Sequence, residues 1–282
     1  MRAWRRFCSD NNVNPLSPDL GEALDFLVSL LDKGLEYSAV NTARCALSSV
    51  LCLYDNKVFG KHHLVIKFMK GVFNKFPPQA RYSASWNVQD ALVWLRYLSP
   101  VKKLTLKSLS LKLVLLMALV SAQRCQTLHL LDLKYLTKGA EYKFAFASPL
   151  KHSKPGKAAP QLIFSPYPPD RRLCIITVLK EYLARTAPLR NGETKLLISY
   201  VKPHGKISKS TVSRWIKCAL AKAGIDVLQY KAHSTRMAST SKASAALIPV
   251  DTILAAAGWS SAGTFAKFYH KPMTKFQSGV LQ

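Results

Sequence analysis

KAHSTRMASTSKASAALIPVDTILAAAGWSSAGTFAKFYH, residues 231–270, is the stretch whose reading decides the fold. Four groups stand out of its small, apolar background: His233, Arg236, Trp259 and Tyr269. His233 and Arg236 are three apart and would share one face of a helix. Ala255, Ala256 and Ala257 followed by Gly258 predict a helix end with Gly at its C-cap, and Trp259 comes directly after it. Tyr269 closes a second short apolar segment containing Phe265 and Phe268. Arginine offers a fork of donors to phosphate oxygens. Histidine moves a proton near neutral pH, and tyrosine can be a covalent nucleophile. Each has an ordinary explanation too: a solvated arginine, a core tryptophan, a packed tyrosine. The order and spacing of all four together point to a phosphate.

Composition points the same way. The 282 residues carry a formal net charge of +26 and are 49% hydrophobic, enough for a sizeable core and a polyanionic partner, most simply nucleic acid. The charge is uneven. Residues 1–79 hold 10 Lys/Arg against 7 Asp/Glu, and residues 80–282 hold 31 against 8. The basic footprint therefore shares a segment with the candidate site. Six cysteines (Cys8, Cys45, Cys52, Cys125, Cys174, Cys218) form no C-x-x-C pair and read as buried, reduced thiols of an intracellular protein. No zinc spacing joins them to the histidines, and His62-His63 reads as a surface pair. The start, Met1 to Arg6, is basic and turns polar, unlike a signal peptide. The longest apolar run, residues 109–120, contains Lys112 and is too short to span a bilayer.

Taken in order, the chain predicts a helical unit over residues 1–76. Ser17-Pro18-Asp19 opens a helix with Ser17 as N-cap, and Leu20, Leu24, Leu27 and Leu31 repeat along it up to Gly34. A second helix spans residues 38–54 with Arg44 on its polar side. A third spans residues 62–76 with Lys67 and Lys70 beside its apolar stripe. Pro77-Pro78 stops it, so residues 77–86 read as a linker and residues 87–282 as a second domain. There, residues 87–98 and 104–120 are expected helices. Arg124 follows, needing a partner that is either a carboxylate such as Asp132 or a phosphate. Residues 143–146 and 161–164 pair as a β-hairpin around a turn rich in lysine, with Lys151, Lys154 and Lys157 near its tip. Residues 170–185 form a helix and residues 195–200 a short strand. Residues 208–222 form a helix with Val212, Trp215, Ile216 and Leu220 inward and Lys209, Arg214, Lys217 and Lys222 outward. That basic face suits DNA or plain solvation.

These motifs resemble the tyrosine recombinase, or phage-integrase-like, family. The resemblance rests on SAQRCQTL at residues 121–128, KHSKPGKA at 151–158, HSTR at 233–236 and GWSSAGTFAKFY at 258–269. The wording looks most like the recombinases of DIRS-type and Crypton-like eukaryotic mobile elements. Two departures stand out. The step from Trp259 to Tyr269 is one residue longer than is usual in bacterial and phage members, and Thr127 stands where an acid is usual. The resemblance implies a mainly α fold with a small β-hairpin or sheet. It comprises an N-terminal helical (SAM-like) core-binding domain that clamps DNA and an α+β catalytic domain. It implies a site-specific recombinase or integrase acting through a 3′-phosphotyrosine without metal, ATP or cofactor, for mobile-element integration. Tyr269 would be the nucleophile, Arg124 and Arg236 the phosphate clamps, and His233 the proton acceptor. Trp259 would donate to the phosphate or pack the site, and Lys151 would be the general acid, with Lys154 as the alternative. Double-stranded DNA contacts are expected at Arg44, Lys67, Lys70, Lys154, Lys157, Lys209, Arg214 and Lys217. Assembly on DNA would be a homotetramer, in the nucleus if the source is eukaryotic. The competing readings are type IB topoisomerase-like relaxation, a domesticated non-catalytic DNA-binding protein and an RNA-binding protein.

Overall fold

The computed structural model describes residues 1–51, 58–78, 82–150, 153, 156, 161–259, 261–269 and 271. It divides into two units, Met1–Arg81 and Tyr82–Gln282. The fold is mainly α with one small antiparallel sheet.

The first unit holds helices α1 (Arg2–Asn11), α2 (Leu20–Asp32), α3 (Tyr37–Ser48) and α4 (His63–Lys75). Their apolar stripes close around Trp4, Phe26, Leu27, Val40, Leu47, Phe59 and Val65. The second helix does not start at Ser17. Asp19 is its N-cap, accepting from the Glu22 amide while Glu22 accepts from the Asp19 amide. A reciprocal carboxylate box satisfies two orphan amides where Ser17 would satisfy one. The third helix also ends earlier than its apolar spacing predicts, at Ser48. Arg44 is engaged within the unit. Its Nε donates to Asn41 Oδ1 at 2.9 Å and its Nη1 to the Gly60 carbonyl at 3.0 Å, tying α3 to a 3₁₀ turn. A side chain at Gly60 would meet both Arg44 and Ser48, so only glycine admits this approach. Cys45 is exposed, against the expectation of buried thiols.

The second unit begins inside the segment read as a linker. Trp86 is buried and donates from Nε1 to Ser234 Oγ at 2.9 Å, and Tyr82 stacks on Tyr230. Asn87 then caps α5 (Val88–Tyr97), and Thr105 caps α6 (Leu106–Ser121). Helix α6 is buried nearly all round, as its apolar run requires. The chain leaves it at Ala122, a non-glycine residue in the left-handed region (φ 49°), and enters α7 (Cys125–His129). Three strands follow, β1 (Leu136–Lys138), β2 (Tyr142–Phe144) and β3 (Leu162–Phe164), in the order β1-β2-β3. The β2–β3 pair is the expected hairpin, in register Lys143↔Ile163. Strand β1, with its half-buried and exposed residues, carried no alternation to announce it.

Helix α8 is shorter than expected. Asp170 caps a 3₁₀ turn, and α8 proper is Ile175–Thr186. Residues 195–200 are not a strand. They make single bridges, Asp132↔Lys195 and Ile198↔Lys206, and bury Leu196, Leu197 and Ile198. Helix α9 (Lys209–Lys222), capped by Ser208, buries Val212, Trp215, Ile216 and Leu220 as its period predicts. Last come α10 (Ser234–Ala245), α11 (Val250–Ala257) and α12 (Ala262–Phe268). Helix α6 packs against α8, α9 and α10 and is the axis of the unit. No helix among the described residues is long and apolar enough to cross a membrane.

Lys112 lies wholly buried on α6. Its Nζ donates to the carbonyls of Leu95 (2.8 Å) and Leu98 (2.7 Å), closing the C-terminal end of α5. Burial lowers its pKa from 10.5 to about 8, only partly opposed by Asp170. Between those values the unfolded chain holds the proton and the folded chain does not, so stability rises with pH across that window. Relative to Lys112→Met, the wild type is expected to gain up to about 3 kcal/mol from pH 8 to 10.5 in urea melts.

Candidate active site

Helix α10 carries two of the four groups that opened the sequence reading. The two differ in exposure: His233, at the N-cap, is exposed, while Arg236 in the first turn is 0% exposed. Gly258, at φ 66°, ends α11 in the left-handed cap expected of it and sends Trp259 back toward α10. Tyr269 is the C-cap of α12.

The three converge with His233. Its Nε2 lies 2.9 Å from the Tyr269 hydroxyl, which donates when that nitrogen is unprotonated. The Trp259 and Tyr269 rings are 4.2 Å apart between centroids. The Arg236 guanidinium lies 4.8 Å from the Trp259 centroid and 5.7 Å from that of Tyr269. Its Nη2 donates to the Ala257 carbonyl at 3.0 Å, but Nε and Nη1 have no hydrogen-bond partner among the described residues, and neither does Trp259 Nε1. Three buried donors therefore gather in one place without acceptors, where native proteins almost always supply one. An oxyanion would satisfy them.

Arg124, half-buried at the N-cap of α7, adds a second guanidinium. Burial first, and then the charge of Arg124, lower the Arg236 pKa to about 10 against the opposing pull of Tyr269. Arg236 stays cationic at neutral pH, facing another cation. The carboxylate partner open to Arg124 in the sequence is taken elsewhere. Asp132 pairs with Lys195 at 3.2 Å and accepts from Thr194 and the Lys134 amide. Among the described residues Arg124 has no ion pair.

Lys151, Lys154 and Lys157 lie outside the described residues. Leu150, just before Lys151, is buried and lines a cavity of about 230 Å³ with Ser121, Gln123, Ala256 and Gly258. Gln123 Nε2 donates to the Ala256 carbonyl at 2.7 Å, tying the Arg124 turn to the end of α11, while its Oε1 has no partner among the described residues. Among the remaining basic candidates, Lys67, Lys70, Lys209 and Arg214 are exposed and Lys217 is half-buried.

Sequence reasoning missed Gln123 and Ser241. Ser241 Oγ donates to the Tyr269 carbonyl at 2.7 Å and accepts from the Lys271 amide at 3.2 Å. The available signal was its position eight residues past His233, about two helical turns along α10.

No family model and no curated protein matches the chain by sequence. In three dimensions it has the fold of the tyrosine recombinases and integrases. It is similar to the XerH site-specific recombinase bound to palindromic difH substrate in a post-cleavage complex, with a TM-score of 0.59 and 15% identity over 89% of this chain and 68% of that one. It is similar to a lambda integrase dimer bound to a COC′ core site, with a TM-score of 0.55 and 17% identity over 96% and 69%. For the Tn1549 transposon integrase in complex with transposon right end DNA, the TM-score is 0.60 and the identity 11%, over 89% and 80%.

A buried cation with two unpaired donors beside a second cation costs stability while no anion is bound. Replacing Arg236 with Met, apolar and of similar length, is therefore expected to stabilise the DNA-free protein by ~1–2 kcal/mol in thermal melts while weakening DNA binding. A destabilised Arg236→Met would show that stacking on Trp259 and Tyr269 outweighs the buried charge.

Proposed function

We propose that the chain is a site-specific DNA recombinase or integrase that cleaves and rejoins strands through a 3′-phosphotyrosine intermediate. The observation that carries this reading is the 2.9 Å contact of His233 Nε2 with the Tyr269 hydroxyl, beside a guanidinium whose Nε and Nη1 lack acceptors. The Tyr269 oxygen attacks the scissile phosphorus and the bond from phosphorus to the 5′ oxygen breaks. His233 takes the phenolic proton. Arg236 and Arg124 hold the non-bridging oxygens and stabilise the charge that grows on them, and Trp259 Nε1 donates to the same group. Lys151, or Lys154, supplies the proton to the departing 5′ oxygen. A 5′ hydroxyl attacking the phosphotyrosine reverses each step, so religation needs no ATP.

A phosphate can reach Arg236 only when the Trp259 and Tyr269 rings shift, since the guanidinium is fully covered between them. Double-stranded DNA is the proposed partner, with assembly as a tetramer. The net charge of +26 supports the first. A lambda integrase tetramer bound to a Holliday junction, similar to this chain with a TM-score of 0.52 and 16% identity, supports the second. The motif wording favours a mobile element of the DIRS or Crypton kind.

The test is a covalent adduct. Incubated with nicked duplexes of random sequence in a metal chelator and run on a denaturing gel, the wild type is expected to give a shifted protein–DNA band. Tyr269→Phe is expected to give none. A band that persists in Tyr269→Phe would refute the assigned nucleophile.

A further inference from the structure

We propose that Ser241 is the positioning residue that holds Tyr269 in register with His233 and Arg236. This rests on Tyr269 being the nucleophile.

Tyr269 sits at the frayed end of a seven-residue helix, where backbone carbonyls lose their helical partners. Its amide still donates to the Phe265 carbonyl at 2.9 Å. Its own carbonyl would be an orphan, but Ser241 Oγ donates to it at 2.7 Å and accepts from the Lys271 amide at 3.2 Å. One hydroxyl thus holds the carbonyl of the nucleophile and the amide two residues on. Ser241 is 3% exposed, so water competes little for either bond.

The usual fate of a buried helical serine or threonine is to bond back to the carbonyl four residues earlier. Thr240 does so to Arg236, Ser121 to Met117 and Ser110 to Leu106. Ser241 instead directs its proton to a residue 28 positions away. The same rigid helix begins with His233 and Arg236. A single element therefore sets three positions: the proton acceptor, the phosphate clamp and the nucleophile's backbone. The Tyr269 ring is fixed by Trp259 and its hydroxyl by His233.

The test is single-turnover cleavage on saturating nicked DNA. Ser241→Ala is expected to slow phosphotyrosine formation roughly 10- to 100-fold, the scale set by small misplacements of reacting groups, with DNA affinity and melting temperature unchanged. Ser241→Thr, which keeps the donor, is expected to recover most of the rate. If Ser241→Ala lowers the melting temperature, Ser241→Cys, close in size but a weak donor, replaces it. A substrate with sulfur in place of the bridging 5′ oxygen eases leaving-group protonation but not nucleophile alignment, so the Ser241→Ala defect should persist on it. Wild-type rates in Ser241→Ala, or Ser241→Thr as slow as Ser241→Ala, would overturn the positioning role. Failure of the wild type to form any adduct dependent on Tyr269 would strike the proposed function, a result distinct from both.

Discussion

The Arg236 guanidinium, buried beneath two aromatic rings with two of its nitrogens unpaired, is the constraint on which the rest of the second unit depends. Taking that charge out of water is costly, and a core arranged only for stability would not do it. The surrounding elements have to hold it there. Helix α10 anchors it, the Ala257 carbonyl at the end of α11 accepts one donor, and the left-handed turn at Gly258 brings Trp259 over it. Helix α6 supplies the apolar mass that offsets the cost. The result is a buried cation with donors left open to an anion once the covering rings shift.

The second arginine sharpens this. With Asp132 committed to Lys195, nothing among the described residues neutralises Arg124, and it raises the cost of charging Arg236. Two cations held against each other favour a group that gathers negative charge over one that merely carries it. Under the proposed recombinase reading, differential stabilisation of this kind would accelerate strand transfer, where uniform binding would not.

Much of this was legible in the sequence, and for physical reasons. The run of residues 109–120 could only be a core helix, and α9 declared its buried face through Val212, Trp215, Ile216 and Leu220. Gly258 announced its own backbone conformation. The order of Arg124, His233, Arg236, Trp259 and Tyr269 reads as a phosphate site, and the structure brings the last four together. What stayed hidden depended on tertiary context. A spacing of three placed His233 and Arg236 together, and both reach Tyr269, but that one would be an exposed N-cap and the other fully buried was not in the spacing. Residues 195–200 have a strand's composition yet find partners only for single bridges. The Ser17 start lost to Asp19 because a carboxylate box caps better. Ser241 was one small residue among many, and only the fold reveals that its hydrogen bond skips its own helix.

The central position of α6 also bears on how the two arginines are spaced. Arg124 emerges at the end of that helix, and Arg236 rides on α10 packed against its side. Their separation is thus set by the packing distance between helices and by the tight turn of residues 122–124, not by the longer connecting segments. Core residues can be exchanged for others of similar bulk, and connecting segments can lengthen, without moving either guanidinium. Such a layout is compatible with a shared fold at identities of 11–17% to the solved structures.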